Sequence, residues 1–342
     1  MLSNLKYSII LLAIFLVSTT KNPPKREFKI TGQAQGTTYG ISYFAADSIV
    51  SKRQIDSILN VIDLSMSLYK PQSTINKFNQ MPKGRLKLDV HMRNVLEKSF
   101  QINQETKGLF DVAILQLMRL WGFYSENGKP IKPDTGTIRK SLKHTMFYVG
   151  MDKIKLRKNY LSKQNNHVEI DLNGIAQGYT VDVMADFIES KGITAYIAEL
   201  GGEIRAKGPK PDGKPIKIGI ERPPTVDLQD NGLTHIVSFK EGAITTSGDY
   251  RKFIVFDGKK YGHIINPKTG YPINNEIMSV TVFAKKAMDA DGYDNALMLM
   301  TVEKALKFVA EKKDLEAYII YKKPNGIIAD TLTNGFRDLI IP

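Results

Sequence analysis

Alternating apolar and polar positions open the globular part of the chain, and helical spacing follows them. Between Phe28 and Phe44 the alternation runs around closely spaced glycines, which predicts a β-hairpin whose turn includes Gln35-Gly36-Thr37. Apolar residues three or four positions apart then predict two amphipathic helices, over Val50–Leu64 and over Val90–Thr106. The segment from 125 to 147 is punctuated by glycine and proline and is predicted to be rich in loops.

The stretch from 168 to 204 predicts a strand, a glycine turn, a helix and a second strand. A short apolar run from Val168 to Leu172 ends in Asn173-Gly174, and a helical pattern runs from there to Lys191-Gly192. Backbone N–H groups at such a helix N-terminus can bind an anion, and glycine allows a close approach. Asp171 lies at the carboxyl end of the predicted strand, where open α/β sheets place their ligands. On the glycines alone, an ordinary strand-to-helix joint is the simpler interpretation.

The last third of the chain predicts further strands and helices around a hydroxyl-rich segment. Thr245–Arg251 is predicted to lie between strands, as a polar turn or as donors for a phosphate or ribose. The other predicted elements are strands at 195–200, 216–220, 235–239, 252–256, 277–284 and 315–321, and helices at 287–300 and 302–312.

An acidic run in the helix predicted at 287–300 is the strongest candidate for metal chemistry. Asp291, Asp294 and Asn295 fall at positions i, i+3 and i+4, which place them on one helix face. Oxygen ligands grouped in this way suit Mg²⁺, which binds through one or two carboxylates together with substrate phosphates. Alternatively, Asp289 and Asp291 only favour a helix N-terminus through its dipole.

The first twenty residues are typical of a secretory signal. Lys6 precedes an apolar run from Tyr7 to Val17, and small residues follow it. We expect residues 1–20 to be a signal peptide or, alternatively, an uncleaved anchor, and both predict export from the cytoplasm. Residues 21–27 are predicted to be a linker and residues 28–342 a single domain. The chain has no cysteine, which excludes disulfides, thiolate metal sites and a cysteine nucleophile.

The net charge of +13 suits a protein that lies near an anionic membrane or binds anionic substrates. The lysines are scattered and no nucleic-acid recognition motif accompanies them, so we expect no nucleic-acid partner. None of the five histidines shows metal-ligand spacing, and a lone residue such as His263 is more often structural than catalytic. A serine-hydrolase elbow, a Walker A loop and a dinucleotide fingerprint are absent.

Taken together, these runs resemble the ApbE family of FAD:protein FMN transferases, from about residue 28 onward. Eight motifs occur in the family's order with similar spacings. They are Gln35-Gly-Thr37, Tyr69 with Ser73 to Asn79, Gly108-Leu-Phe-Asp111 through Leu120-Trp-Gly122, Asp171 to Asp182, Glu199-Leu-Gly-Gly-Glu203, Thr246-Ser-Gly-Asp249, His263-Ile-Ile-Asn-Pro267-Lys-Thr-Gly270, and Ser279-Val-Thr-Val followed by Ala290-Asp291.

The resemblance implies an α+β, T-fold-related flavin-binding fold with mixed sheets and packed helices. It implies Mg²⁺-dependent transfer of FMN from FAD to a threonine or serine hydroxyl of a partner, with release of AMP. It places FAD contacts at Gln35, Tyr69, Leu109, Phe110, Asp111, Asp171, Gln177 and Ile265, and metal ligands at the Gly174 carbonyl, Asp291 and Asn295. For the base or hydrogen-bond partner that the acceptor hydroxyl needs, we nominate His263 first and Asp249 second.

Three positions depart from the family pattern. Asn295 stands where threonine is usual, Gln35 where methionine is usual, and Gln177 where a charged residue is common. The family's flavin-acceptor pattern, Asp-Gly-x-Ser/Thr-Gly-Ala-Thr/Ser, is absent, so we expect the acceptor to be another exported flavoprotein, such as a subunit of a membrane redox complex. Inner-membrane association and a periplasmic or other extracytoplasmic location fit this expectation. The alternatives are hydrolysis of FAD to FMN and AMP, or a non-enzymatic FAD-binding protein.

Overall fold

A computed structural model of the chain describes residues 23–124, 135–223, 233–248, 253–256 and 259–341. The predicted signal peptide at 1–20 and the candidate Asp249 lie outside these residues. The strands are β1 (Arg26–Ala34), β2 (Thr37–Ala45), β3 (Gly84–Lys87), β4 (Ile154–Arg157), β5 (Tyr160–Lys163), β6 (Tyr196–Leu200), β7 (Glu203–Lys207), β8 (Ile218–Glu221), β9 (Leu233–Val237), β10 (Glu241–Gly248), β11 (Phe253–Phe256), β12 (Lys259–Gly262), β13 (Ile277–Ala284), β14 (Leu315–Lys322), β15 (Ile328–Leu332) and β16 (Ile340–Ile341). The helices are α1 (Lys52–Met66), α2 (Thr74–Gln80), α3 (Val90–Glu105), α4 (Leu115–Leu120), α5 (Thr135–Met146), α6 (Ala176–Ser190), α7 (Ala287–Met298), α8 (Val302–Ala310) and α9 (Asn334–Arg337).

An eight-stranded sheet forms the centre of this α+β fold, in the order β1-β2-β6-β7-β10-β13-β14-β15. Two three-stranded sheets and one two-stranded sheet accompany it. All strand pairs in the described part of the chain are antiparallel. The sheets there differ in their number of strands, from two to eight. No helix in that part is both long enough and apolar enough to cross a bilayer.

The predicted hairpin at the start of the domain is confirmed. Ala34 pairs with Thr37, so the turn consists of Gln35 and Gly36, whose φ angles of +52° and +76° match a two-residue hairpin turn. β1 begins at Arg26, which lies inside the predicted linker of residues 21–27, because its backbone pairs with Ala45. That prediction was therefore wrong for the last two residues of the linker.

Helices α6 and α7 pack against each other and cover the middle of the large sheet, α6 on β6 and β7 and α7 on β10 and β13. Val181, Met184 and Ile188 of α6 are fully buried, as are Ala296 and Leu297 of α7. Burying one such large apolar side chain contributes roughly 1.5–3 kcal/mol, so this packing holds the two helices firmly in register.

The prediction of a strand at residues 168–172 was wrong. This segment is buried, as its apolar residues indicate, but its backbone bonds to side chains and to loop backbone instead of a neighbouring strand. The Asn79 amide accepts from the N–H of Ile170 at 2.8 Å and donates to the carbonyl of Ile170 at 2.9 Å. The Lys163 amine donates to the Val168 carbonyl at 2.9 Å, and the N–H of Asp171 donates to the Val112 carbonyl at 2.8 Å.

The prediction that residues 125–147 are loop-rich was also wrong over α5, which spans Thr135–Met146. Ile138 and Leu142 are four residues apart and join the apolar cluster that contains Leu117 and Trp121. This spacing is that of an amphipathic helix, and the preceding glycine and prolines obscured it in the sequence.

Candidate functional site

The N-terminal turns of α6 and α7 meet at a glycine. The backbone N–H of Gly178 donates to Oδ2 of Asp291 at 2.8 Å. A Cβ at position 178 would lie 2.3 Å from the Ala287 carbonyl oxygen, so only glycine allows this approach. The contact places the Asp291 carboxylate beside the first turn of α6.

The three candidate metal ligands come together at this contact. Nδ2 of Asn295 donates to the Gly174 carbonyl at 3.3 Å and to the backbone carbonyl of Asp291 at 2.9 Å. A Cβ at Gly174 would lie 3.6 Å from Nδ2 of Asn295 and 3.8 Å from the ring of Phe110. The structure therefore brings Gly174, Asp291 and Asn295 together next to a residue for which the sequence predicts an FAD contact.

Two buried carboxylates give the cluster its electrostatic character. Asp291 is 4% exposed and Asp294 2%. Burial raises the pKa of both carboxyl groups, and a neighbouring charge adds to this effect, that of Asp182 at Asp291 and that of Asp291 at Asp294. A divalent cation at Asp291 and the Gly174 carbonyl would stabilise the ionised forms, and hard oxygen donors of this kind suit Mg²⁺. The amide of Asn295 would have to turn so that its oxygen, rather than its nitrogen, faces Gly174.

The donor set is poor in side chains and rich in backbone oxygen. In the described ranges no group of three or more His, Cys, Asp or Glu side chains could hold a metal ion by itself. A cation here would depend on the Gly174 carbonyl and on oxygens of a bound phosphate, as is usual for Mg²⁺. The residues present thus fit a substrate-assisted Mg²⁺ site.

The hydroxyls at 245–247 support this cluster from the sheet. The prediction that Thr245–Arg251 lies between strands was wrong for its first four residues, which belong to β10. The hydroxyl of Thr245 donates to Oδ2 of Asp294 at 2.6 Å, and that of Ser247 to Oδ1 of Asn295 at 3.4 Å. These residues are polar because they face α7, and they position its side chains.

Asp171 lies three residues before Gly174 and is bound by a tyrosine whose ring is close to a second tyrosine. The Tyr124 hydroxyl donates to Oδ2 of Asp171 at 2.9 Å, and the N–H of Asn173 donates to Oδ1 at 2.9 Å. The rings of Tyr124 and Tyr69 are 6.2 Å apart, and the Tyr69 side chain is 78% exposed. Burial raises the pKa of Tyr124 well above its ordinary value, and the Asp171 charge adds to this effect, so the hydroxyl stays a donor.

The run Leu109-Phe110-Asp111 connects the Gly174–Asp291 cluster, which the Phe110 ring approaches, with a cavity that Asp111 lines. The amide of Asn103 donates to the Phe110 carbonyl at 2.7 Å, and the Asp111 carboxylate accepts the N–H groups of Ala113 at 2.8 Å and Met151 at 2.9 Å. Burial raises the pKa of Asp111 to about 6 in spite of these donors. A cavity of about 420 Å³ opens here, with Lys107, Gly108, Asp111 and Lys268 among its lining residues.

Gln35 and Gln177 flank the N-terminal end of α6. Nε2 of Gln35 donates to the Thr180 hydroxyl at 3.1 Å, which ties the hairpin turn to the helix. A Cβ at Gly201 would lie 3.1 Å from Nε2 of Gln177, so that side chain packs against the β6–β7 turn. Both side chains therefore lie at the first turns of α6, which begins two residues after Gly174.

Two of the three remaining candidates, His263 and Ile265, belong to the segment after β12, and Asp249 follows β10. Ile265 is buried in the cluster that contains Trp121, and the Trp121 indole donates to the Gly270 carbonyl at 2.7 Å. His263 follows β12 directly and is half-buried. Asp249 lies outside the described residues, so its proposed role stays a prediction.

Sequence reasoning missed Tyr124, Asn79, Asn103, Thr180 and the support from Thr245. Each acts through a partner at least seven residues away in the chain, and no local pattern announces such a contact. Asn79 itself lies in the polar segment TINKFNQ, so its burial leaves no mark in the sequence.

Comparison with known proteins identifies the family and the fold. The model of the ApbE family matches residues 35–319. The chain belongs to the ApbE family. A relative from Vibrio cholerae serotype O1, named FAD:protein FMN transferase, is 35% identical over 323 residues, which cover 93% of this chain and 94% of that protein. A Haemophilus influenzae protein of the same name is 33% identical over 342 residues, covering 97% and 96%.

The fold of this ApbE family member agrees with a solved structure. The flavin transferase ApbE from Vibrio cholerae superposes with a TM-score of 0.82 at 34% identity, covering 92% of this chain and 100% of that one. Family membership and the α+β flavin-transferase fold, both predicted from the motifs, are confirmed.

Proposed function

We propose that this chain transfers FMN from FAD to a threonine or serine hydroxyl of another protein and releases AMP. An enzyme of the FAD:protein FMN transferase class is what its relatives' names support. The observation that carries the proposal is the meeting of Gly174, Asp291 and Asn295 beside Phe110. A buried acidic cluster next to the expected nucleotide site is what pyrophosphate chemistry needs.

Mg²⁺ is the metal we propose for this cluster. Asp291 and the Gly174 carbonyl would hold it, with Asn295 as a weaker third ligand. When bound, the ion supplies Lewis-acid polarisation of the pyrophosphate and neutralises charge on the departing phosphate. The hydroxyls of Thr245 and Ser247 keep Asp294 and Asn295 in place on the sheet side.

The proposed transfer is a direct displacement at phosphorus and needs no covalent enzyme intermediate. The acceptor oxygen bonds to the phosphorus of the FMN half, the P–O bond to the AMP half breaks, and AMP departs with the bonding electron pair. The acceptor proton passes to a base, for which His263 is the first candidate and Asp249 the second. The protein contributes mainly positioning and charge neutralisation, which is sufficient for phosphoryl transfer.

FAD would bind from the Tyr69–Tyr124 face toward the cavity beside Asp111. The exposed Tyr69 ring offers an apolar surface to a planar ring system, and Asp171 offers an acceptor fixed by Tyr124. The cavity near Lys107 and Lys268 suits the other end of an anionic dinucleotide.

The sequence supports a separate acceptor protein and an extracytoplasmic location. The chain lacks the family's acceptor pattern, which supports a separate acceptor, such as a flavoprotein subunit of a membrane redox complex. The secretory pattern at residues 1–20 supports action in the periplasm or at the extracytoplasmic face of the membrane, and the charge of +13 supports association with an anionic inner-membrane surface.

The test is incubation of the chain with FAD and Mg²⁺, with and without a domain that carries the acceptor pattern. We expect AMP release and a flavin-fluorescent acceptor band on a denaturing gel only when the acceptor is present. AMP release without acceptor would favour FAD hydrolysis, and tight FAD binding without release would favour a binding protein.

A pair of aspartates on one helix provides the matched variants. Asp291→Ala should abolish turnover because the metal loses its carboxylate. Asp289→Ala should keep it, because Asp289 is bound to Lys98 at 2.7 Å and belongs to no part of the site. Undiminished AMP release by Asp291→Ala at limiting Mg²⁺ would contradict the proposed metal site.

A further inference from the structure

The helix that carries Asp291 and Asn295 is capped by another helix. Lys286 precedes α7 and makes no side-chain cap. Asp182 of α6 caps the helix instead. Its Oδ1 accepts the N–H of Ala287 at 3.0 Å, and its Oδ2 accepts the N–H of Met288 at 2.9 Å. Two N–H groups that a helix start leaves unpaired are thereby satisfied by a carboxylate, which the helix dipole also favours.

An arginine from the sheet holds the capping carboxylate. Arg205 of β7 is 4% exposed and lies 3.2 Å from Oδ1 of Asp182. The same guanidinium binds Asp186 at 2.6 Å and Glu189 at 3.1 Å, one and two turns further along α6. Asp182 is therefore fixed on both sides, by the sheet and by the start of α7.

The cap and the glycine contact form two ties, one helical turn apart. Gly178 and Asp182 are four residues apart on α6, and their partners Asp291 and Ala287 are four residues apart on α7. Apolar packing restrains the two helices as a whole, and the two ties add directional hydrogen bonds that fix the first turn of α7 against α6. Gly174 lies just before α6, so the same ties set its carbonyl relative to Asp291.

We infer that Asp182 is a positioning residue that sets the spacing between the Gly174 carbonyl and the Asp291 carboxylate, and thereby the affinity for the divalent cation. This inference rests on the proposed function, because it needs that cation at the cluster. Asp182 touches neither the nucleotide nor the ion, and it acts through the first turn of α7. Partners that orient a metal's ligands typically contribute roughly 10- to 100-fold in affinity.

Mn²⁺ binding tests the inference without reference to turnover. Mn²⁺ is titrated into the full chain with saturating FAD, the free ion is followed by electron paramagnetic resonance, and FAD binding is measured separately in chelator by flavin fluorescence. We expect Asp182→Ala to raise the Mn²⁺ Kd roughly 10- to 100-fold and to leave FAD binding in chelator nearly unchanged.

Asp89 provides a matched control. It caps α3 by accepting the N–H of Met92 at 3.0 Å and also binds the hydroxyls of Ser65 and Thr74, but α3 carries no candidate metal ligand. Asp89→Ala should lower the melting temperature as a lost cap does, without changing the Mn²⁺ Kd. Equal Kd values for Asp182→Ala and Asp89→Ala would overturn the inference.

The conservative variant covers the case in which Asp182→Ala does not fold. Asp182→Asn keeps one acceptor for α7 and loses the charge that Arg205 holds, so its Mn²⁺ Kd should lie between those of the unaltered chain and the alanine variant. An unchanged Kd in a folded Asp182→Asn protein would also count against the inference. Failure of the unaltered chain to bind Mn²⁺ at all would instead overturn the proposed function.

Discussion

Replacing Gly178 by alanine tests the close backbone contact between α6 and α7. The new Cβ would lie 2.3 Å from the carbonyl oxygen of Ala287, and 2.7 Å from both the carbonyl carbon of Ala287 and the Cβ of Asp291. All three atoms are backbone or Cβ, so no rotamer change can relieve the overlap. The two helices must separate by close to an ångström, and the hydrogen bond from Gly178 to Asp291 must lengthen with them.

The expected loss of stability is about 2 kcal/mol. Overpacking of a rigid contact costs about 3 kcal/mol, at the upper end of the usual range. Alanine regains at most about 1 kcal/mol over glycine through its helix propensity. A net change of this size should lower the melting temperature by roughly 3 °C, because the unfolding entropy of a chain of 342 residues is about 0.7 kcal/mol/K.

Gly292→Ala is the matched control, because it places the same methyl group on the neighbouring helix. There the Cβ would meet the terminal methyl of Ile102 at 2.4 Å and that of Ile175 at 3.2 Å, and both side chains can turn aside. The gain in helix propensity offsets much of that repacking cost, so we expect near-neutral stability, within about 1 kcal/mol.

Denaturant unfolding followed by tryptophan fluorescence measures both variants, and Mn²⁺ titration reports on the site. Gly178→Ala should unfold more easily than Gly292→Ala by about 2 kcal/mol and should also bind Mn²⁺ more weakly. If the two variants proved equally stable, the α6–α7 contact would be soft and the reasoning about its geometry would be refuted.

Three further substitutions test the candidate site and the segment that leads to it. Asn295→Thr should preserve or raise metal-dependent AMP release, and a collapse of that activity would show that the face of α7 is wrongly assigned. Tyr124→Phe removes the donor to Asp171, so we expect FAD affinity, measured by flavin quenching, to fall about tenfold, as for a lost hydrogen bond to a charged group. Burial lowers the pKa of Lys163 from 10.5 in the unfolded chain to about 8 in the folded chain. Between these pH values the unfolded chain therefore binds more protons than the folded chain. The contribution of Lys163 to stability consequently rises as the pH increases from about 8 to 10.5. The unfolding free energy of the unaltered chain minus that of Lys163→Met should therefore increase across these pH values, and a constant difference would contradict the desolvation of the amine.

The parts of the fold that the sequence predicts are those built from local spacing. The hairpin around Gln35-Gly36 follows from the conformations that its turn demands, and the common face of Asp291, Asp294 and Asn295 follows from the helical repeat. Both depend on residues fewer than ten positions apart. Such patterns need no knowledge of the rest of the chain.

The wrong predictions share a different cause. Residues 168–172 look like a strand because they are apolar and bounded by a turn, yet their hydrogen-bond partners include Asn79 and Lys163. The Asn79 contact spans 91 residues, and a side-chain amide that pairs with one peptide leaves no periodic trace. Likewise Thr245 looks like a turn residue until Asp294, 49 positions later, is seen to accept its hydroxyl.

The substitution at Asn295 acquires a physical meaning from its contacts. Its amide nitrogen donates to the Gly174 carbonyl, the Asp291 carbonyl and the Asp294 carboxylate at 2.9–3.3 Å. One of these acceptors, the Gly174 carbonyl, is also an oxygen proposed for the cation, so the amide and the ion would compete for it. Threonine has a single donor and a smaller side chain, which would leave that oxygen to the ion. At the Mg²⁺ site that we propose, the strength of binding would therefore depend on the cost of turning one amide.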